Sequence, residues 1–199
     1  MRQRSHPGDA LVLPPRGPLR GEAKLRAALQ SFDVSVAGRI ALDVGAAAGG
    51  FTRVLLAGGA TRVYAVDAGH GQLLGSLRQD PRVVNLEATN VAQLDERLIP
   101  EQIDVVSVDV SYLSLGSAVA QLDRVRFAAG ADLIGLVKPM FELRLGTAPN
   151  DPERVTAAGA RAAESVTQAG WVVVGLIPSP VRGARGAPEM LLHARLAKP

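Results

Sequence analysis

The sequence predicts an α/β fold in which a doubly wound, mostly parallel sheet carries helices on both faces. Short apolar runs alternate with segments whose apolar residues recur at helical spacing, a pattern typical of parallel sheets. The last two apolar runs are joined by a connection too short to contain a helix, so they must form an antiparallel pair. The chain has 199 residues, which suits one domain with a sizeable core.

The individual elements follow from these patterns in order. The apolar runs predict five parallel strands and two closing strands, at 39–44, 62–67, 82–87, 103–110, 131–139, 171–180 and 188–197. The amphipathic segments predict helices at 22–32, 49–59, 71–80, 115–127 and 151–170. Residues 1–20 are rich in proline, glycine and arginine, so we interpret them as an irregular basic arm before a domain over 21–199.

The composition excludes several classes of protein. No cysteine is present, which removes disulfides and thiolate chemistry, and the few histidines show no metal-ligand spacing. No apolar run approaches the roughly 20 residues that cross a bilayer, and the N-terminus does not resemble a signal peptide, so we expect a cytoplasmic protein. The net charge of +3 and the many arginines suit nucleic acid, but they are equally typical of an arginine-rich solvated surface.

Charged residues stand at the carboxyl ends of predicted parallel strands, where such sheets bind ligands. They are Asp43, Asp67, Asp109 and Lys138. A glycine-rich loop follows Asp43, in which Gly45 allows a tight turn. A dinucleotide site begins similarly. However, a carboxylate inside this strand end would repel a pyrophosphate and could meet the cationic methionyl end of S-adenosylmethionine, directly or through a water.

Further cofactor contacts are predicted from the strand ends that follow. Asp67 stands where an acid binds the ribose in nucleotide-binding folds of this type. Thr89 and Asn90 follow the third strand and could contact the adenine edge. The predicted cofactor-binding set is therefore Asp43, Gly45, Ala46, Ala47, Gly49, Gly50, Phe51, Asp67, Ala68, Thr89, Asn90 and Asp109.

Several segments together resemble a known family. They are RGEAKL (20–25), ALDVGAAAGGFT (41–52), RVYAVDAGHGQL (62–73), RQDPRVVNLEATN (78–90), VDVSYLSL (108–115), LVKPMFE (136–142) and GARGAPEMLL (183–192). With them the chain resembles the FtsJ-like ribose 2′-O-methyltransferases, and within these the hemolysin A (TlyA) group. The resemblance implies a Rossmann-like class I S-adenosylmethionine methyltransferase fold, with a seven-stranded sheet closed by an antiparallel hairpin.

The resemblance also implies a catalytic set, at Lys24, Asp109, Lys138 and Glu189. A ribose hydroxyl is a poor nucleophile, so its attack on a methyl sulfonium needs a partly formed alkoxide. Lys138 could act as the base or hold the developing alkoxide, and Asp109 could position it. Lys24 and Glu189 could orient the hydroxyl. The scheme requires no metal.

The acceptor is less closely defined than the methyl donor. The group usually has glycines where Glu22 and Ala23 stand, a longer stretch in place of 143–155, and an N-terminal S4 RNA-binding domain where this sequence has the short arm. RNA, in particular ribosomal RNA, is the expected substrate. A methyltransferase of a small hydroxylated metabolite, a non-catalytic RNA-binding relative and a NAD-dependent oxidoreductase remain alternatives. The sequence specifies neither the target nucleotide nor the oligomeric state.

Overall fold

The computed structural model describes residues 18–197, which form a seven-stranded sheet flanked by helices. The strands are β1 (Ile40–Val44), β2 (Arg62–Val66), β3 (Val83–Leu86), β4 (Ile103–Val108), β5 (Phe127–Val137), β6 (Trp171–Pro178) and β7 (Met190–Leu196). The helices are α1 (Arg20–Ser31), α2 (Gly50–Ala57), α3 (Gly75–Arg78), α4 (Leu115–Ala120), α5 (Pro139–Glu142) and α6 (Pro152–Gln168).

The order of the strands across the sheet is β3-β2-β1-β4-β5-β7-β6. Strands β1 to β5 are parallel to one another, whereas β7 runs antiparallel to both β5 and β6. The predicted fold is therefore confirmed, including the antiparallel closing pair. The order in which strands are added to the sheet reverses between β1 and β4. The carboxyl ends of these two parallel strands therefore open a crevice at this switch point.

Two apolar layers fix the helices on the sheet. One face of the sheet packs against α1 and α2, and the other against α4 and α6. The central strands are buried on both faces, as the neighbouring Val105 and Val106 show by facing opposite layers. This explains why the parallel strands appear in the sequence as continuous apolar runs instead of alternating ones.

The helix predicted over 71–80 is wrong in length, since only Gly75–Arg78 is helical. Gly71 adopts a φ of 70°, outside the helical region, and Glu87 accepts hydrogen bonds from the N–H groups of Gln72 and Leu73 at 2.5 and 3.0 Å. A side chain from the end of β3 thus replaces the helical partners of these amides. The result is an open loop at the edge of the crevice.

The helix predicted over 115–127 ends early, at Ala120, and β5 begins at Phe127 instead of residue 131. Phe127 is drawn into the sheet because it pairs with Ile103 and packs edge-on against Trp171, with ring centroids 5.1 Å apart. Strand β5 stops at Val137, and Pro139 then starts the short helix α5, which was not predicted.

The predicted basic arm lies mostly outside the described residues. Within them, α1 already begins at Arg20, the last residue assigned to the arm. No helix between residues 18 and 197 is both long enough and apolar enough to cross a membrane.

Candidate active site

The glycine-rich loop after β1 forms the floor of the crevice. Gly45 has a φ of 88°, and a Cβ at this position would lie 2.2 Å from the carbonyl oxygen of Asp109. The loop can therefore pass the end of β4 only with glycine at this position. Gly49, with a φ of 95°, occupies the N-cap position of α2.

A cavity of about 300 Å³ lies above this loop, and we refer to it as the cofactor cavity. Its volume is at the lower end of the range for small-molecule sites. Many of the predicted contacts line it, namely Gly45, Ala47, Asp67, Ala68, Thr89 and Asp109. Gln72, Val91, Val110, Ser111 and Tyr112 also line it and were not predicted.

Asp67 is the carboxylate best placed to bind a polar ligand in the cofactor cavity. One of its oxygens accepts the N–H of Ala47 at 2.8 Å, and the other accepts the N–H of Gly69 at 2.7 Å. These bonds hold the carboxylate in one orientation at the end of β2. Each carboxylate oxygen can accept more than one hydrogen bond, so both can still accept a donor from a ligand such as a ribose diol.

Asp43 was predicted to meet the cofactor, but its side chain is completely buried beneath the glycine-rich loop. It accepts hydrogen bonds from the hydroxyls of Thr52 and Ser107 at 2.7 and 2.9 Å. Burial raises the pKa of Asp43 to about 6, although the two hydroxyl bonds oppose the shift and the charge of Asp109 adds to it. Direct contact with a ligand is excluded in this conformation. Asp43 would therefore act on a ligand through the electrostatic field of its carboxylate and through the loop that it supports.

The remaining predicted cofactor residues fall in two groups. Ala46, Gly50 and Phe51 line a cleft of about 220 Å³ between the loop and the start of α1, together with Gly45, Ala47 and Asp109. Gly49 and Asn90 line neither space. The Asn90 side chain instead accepts the N–H of Ala92 at 3.1 Å and caps the short 3-10 turn that follows β3.

A second cavity, of about 570 Å³, lies between the start of α5 and the connection from β6 to β7, and we refer to it as the acceptor cavity. Three members of the predicted catalytic set line it, Lys24, Lys138 and Glu189. The fourth, Asp109, lines the neighbouring cofactor cavity. Ser111 lines both cavities and therefore marks the point where they meet.

The four residues form two ion pairs. Lys138 Nζ lies 2.6 Å from Asp109 Oδ1 and donates a hydrogen bond to Ser111 Oγ at 2.7 Å. Lys24 Nζ lies 2.6 Å from Glu189 Oε2, and both of these side chains are more than nine-tenths buried. An ammonium group has three donors, so each lysine retains capacity for a ligand after these contacts.

Strand pairing explains how residues so distant in sequence come together. The antiparallel register pairs Val137 with Met190, so Lys138 after β5 lies beside Glu189 before β7. Gly183 makes room for this arrangement, because a Cβ on it would lie 2.1 Å from Glu189 Oε1.

Glu22 was noted in the sequence only as a departure from the usual glycine. It is buried and accepts the N–H of Leu19 at 3.1 Å, and it lies 2.8 Å from Arg53 Nη1. The carboxylate therefore fastens the start of α1 to α2, two residues before Lys24. Among the described residues, no group of histidine and carboxylate side chains has the arrangement of a metal site.

The strand order, the antiparallel closing pair and a cavity at the carboxyl ends of β1 and β2 define a Rossmann-like methyltransferase fold. Solved S-adenosylmethionine-dependent methyltransferases share this fold. Fibrillarin from Aeropyrum pernix, solved with S-adenosylmethionine, superposes with a TM-score of 0.62 at 19% identity, over 87% of this chain and 76% of that one. A hemolysin-like protein from Streptococcus thermophilus superposes with a TM-score of 0.85 at 34% identity, over 94% and 70% of the two chains.

The chain belongs to the FtsJ-like methyltransferase family, whose model matches residues 19–196. It is 41% identical over 181 residues to the 16S/23S rRNA (cytidine-2'-O)-methyltransferase TlyA of Mycobacterium tuberculosis, covering 88% of this chain and 67% of that protein. It is 35% identical to hemolysin A of Brachyspira hyodysenteriae, covering 87% of this chain and 75% of that protein. The predicted family is confirmed.

Proposed function

We propose that this protein transfers the methyl group of S-adenosylmethionine to a ribose 2′-hydroxyl of RNA, with ribosomal RNA as the substrate class. One observation carries the proposal. The Asp109–Lys138 ion pair and Ser111 stand where the cofactor cavity meets the acceptor cavity. A methyl donor in one cavity and a hydroxyl in the other would face each other across Lys138.

The residues of the cofactor cavity fit S-adenosylmethionine. Asp67 offers carboxylate oxygens to the ribose, and Thr89 and Val91 line the same cavity and can contact the adenine. The cleft next to it, beside Gly45 and Asp109, suits the methionyl end. When bound, S-adenosylmethionine supplies a methyl group on a positively charged sulfur. A buried carboxylate at Asp43 favours that charge over a pyrophosphate.

Lys138 acts on the acceptor. The ammonium group of Lys138, held 2.6 Å from the carboxylate of Asp109, can hold the negative charge that develops on the attacking oxygen. The new O–C bond would form as the S–C bond of the bound methyl donor breaks, which leaves a neutral thioether, and the hydroxyl proton would leave to solvent. If Lys138 were neutral instead, it would take this proton itself as the base.

Lys24 and Glu189, which line the same cavity, orient the acceptor. Their ion pair is almost completely buried, so its geometry is fixed before the ligand binds. The remaining donors of Lys24 and acceptors of Glu189 can bind the neighbouring sugar oxygens. Such positioning is worth several orders of magnitude in rate when the reacting atoms are held in contact.

The relatives support the acceptor. The Mycobacterium tuberculosis relative is named for 2′-O-methylation of cytidine in 16S and 23S ribosomal RNA, and the catalytic positions fall within the matched region. We extend this substrate class to the present chain, and with it a cytoplasmic location.

Labelled methyl transfer tests the proposal. The protein is incubated with S-adenosylmethionine labelled in the methyl group and with ribosomal RNA stripped of its proteins, and the RNA is digested to nucleosides. We expect label in a 2′-O-methylnucleoside, at a linkage that resists alkali, and none with Lys138→Ala. Label in a base, or in a metabolite extract but not in RNA, would refute the acceptor and favour a small-molecule methyltransferase.

A further inference from the structure

Most arginines between residues 18 and 197 are engaged with other groups of the protein. They pair with a carboxylate, as Arg53 does with Glu22, or donate to a carbonyl oxygen, as Arg182 does to Gly186. In this range, the arginines with neither an ion pair nor a side-chain hydrogen bond are Arg20, Arg78, Arg144, Arg161 and Arg185. All of these except Arg78 line a cavity beside the active site.

Arg144 and Arg185 share a second property. Their φ angles are 53° and 54°, in the left-handed region that is sparsely populated by residues with a side chain. Each stands in a connection at the carboxyl edge of the sheet, Arg144 after α5 and Arg185 between β6 and β7. Backbone strain of this kind persists only where the surroundings impose it, and it often accompanies a function.

Arg144 and Arg161 line a third cavity, of about 410 Å³, which we refer to as the α5 cavity. It shares Met140 and Phe141 with the acceptor cavity, so the two spaces adjoin along α5. The carboxyl group of Glu142 also lines it. That group is already bound to the N–H of Leu115 at 2.6 Å and is buried, so it only partly offsets the two guanidinium groups.

We propose that Arg144, Arg161 and Arg185 bind backbone phosphates of RNA on both sides of the nucleotide whose ribose enters the acceptor cavity. The inference rests on the proposed function and adds to it the path of the substrate. Arg185 would bind the strand at the acceptor cavity, and Arg144 and Arg161 would bind its continuation along α5.

The chemistry favours a polyanion over a small metabolite. Guanidinium groups bind phosphate oxygens in pairs of parallel hydrogen bonds, and they remain charged at every physiological pH. The three groups line two cavities and stand on separate elements, Arg161 in α6 and the other two in connections, so one small molecule in the acceptor cavity would leave the α5 cavity empty. A nucleic-acid chain, with a phosphate at every residue, reaches both.

Salt-dependent binding of a fluorescein-labelled oligouridylate tests the inference. Arg144→Gly, Arg161→Ala and Arg185→Gly are compared with wild type and with Arg97→Ala. Glycine retains the left-handed backbone at 144 and 185, so charge is removed without added strain. Arg97 is a matched control, because it is highly exposed and pairs with Asp95 before β4, at the opposite edge of the sheet.

Each of the three variants should make the slope of log affinity against log salt shallower by about 0.7, the value for one phosphate contact with single-stranded nucleic acid. Affinity for S-adenosylmethionine should not change in any variant. Slopes equal to that of Arg97→Ala would overturn the inference, and so would a wild-type affinity that does not respond to salt.

The same variants separate this inference from the proposed function. If the three variants show the shallower slopes but wild type transfers no methyl to ribosomal RNA, the phosphate path stands and the reaction is wrong. If wild type methylates ribosomal RNA and the three variants bind and methylate as well as Arg97→Ala, the reaction stands and the phosphate path is wrong.

Discussion

The paired segment of strands β5 and β7 has a cluster of charged residues at each of its two ends, and the two clusters differ in which polar groups they leave available to a ligand. At the carboxyl end of β5, Lys138 and Glu189 each pair with one partner and face a cavity. Towards the other end, Asp132 is bound by His193 at 2.8 Å, by Arg39 at 2.7 Å and by Arg195 at 3.1 Å.

The carboxylate at the centre of the second cluster, Asp132, is bound by three side chains without any ligand. Asp132 and His193 are buried, and His193 packs against the ring of Phe32 with centroids 5.3 Å apart. Burial alone would raise the pKa of Asp132, but the hydrogen bonds from His193, Arg39 and Arg195 outweigh it and hold that pKa below its ordinary value. The comparison teaches that buried charge does not by itself mark an active site. An active site is marked by polar groups that line a cavity and can still form hydrogen bonds with a ligand.

The largest effect should come from the end that faces the cavity. Lys138→Ala should reduce methyl transfer by about 10³-fold or more, because it removes the group that holds the developing alkoxide. Its affinity for S-adenosylmethionine should stay within about twofold of wild type, since Lys138 does not line the cofactor cavity. Transfer rate and calorimetric affinity are measured on the same preparation.

Lys138→Arg provides the matched control for charge. Arginine keeps the positive charge but has a broader, planar head that cannot place a single N–H donor where Lys138 Nζ lies, so it should also fail. Near-normal turnover of Lys138→Ala would break the comparison, since the two clusters would then be equivalent for catalysis.

Replacing Asp132, at the centre of the second cluster, should lower stability and leave turnover unchanged. Asp132→Asn should lower the free energy of unfolding by about 3–5 kcal/mol, the usual cost of breaking a buried ion pair. Turnover per folded molecule should match that of wild type. Denaturant unfolding and methyl transfer, run side by side, check both statements, and a loss of turnover without a loss of stability would be incompatible with them.

The same cluster predicts how stability depends on acid. Because the pKa of Asp132 is lower in the folded protein than its ordinary value of 3.8, the carboxylate stabilises the fold above that pH and loses this effect as the pH falls further. The stability of wild type and Asp132→Asn should therefore converge in acid. Parallel curves down to the lowest pH at which the protein folds would contradict the assignment.

Asp43 should show the reverse dependence. Its pKa rises from 3.8 to about 6 on folding, so ionisation opposes folding, and the cost grows between these two values and is complete above pH 6. The cost is about 3 kcal/mol at most, from 1.36 kcal/mol per pKa unit. Thermal unfolding of Asp43→Asn should therefore lack the loss of stability that wild type shows from pH 4 to 6.

The smallest effect concerns an ion pair that is partly open to water. Arg53→Ala should cost only about 0.2–1 kcal/mol of stability, because the side chain of Arg53 is 42% exposed. It should still reduce turnover measurably, since Glu22 fastens the start of α1 near Lys24. Turnover that matches wild type would remove Glu22 and Arg53 from the account of how Lys24 is positioned.

The sequence predicted the parts of the fold that depend on local pattern. Apolar runs located every strand, and the short link before β7 required the antiparallel pair. The length of α3 and the start of β5 could not be predicted, because they depend on contacts from distant residues, Glu87 in one case and Trp171 in the other.

The candidate site shows the same division. Lys24, Lys138 and Glu189 were expected together from family resemblance, and antiparallel pairing explains why Lys138 and Glu189 are close. Ser111 follows Asp109 by two positions, so it could have been predicted as a site residue from its place just after the end of β4. The burial of Asp43 could not be predicted, because the residues that enclose it, Thr52 and Ser107, belong to helix α2 and strand β4.

Chemical rescue of Lys138→Ala tests the central claim most directly. If the missing function is an ammonium group beside Asp109, then a small primary amine such as methylamine should restore part of the methyl transfer by the variant. Tetramethylammonium, which has no N–H donor, should restore none, and neither should stimulate wild type. The account is contradicted if methylamine gives no recovery, or if both compounds stimulate the variant and wild type alike.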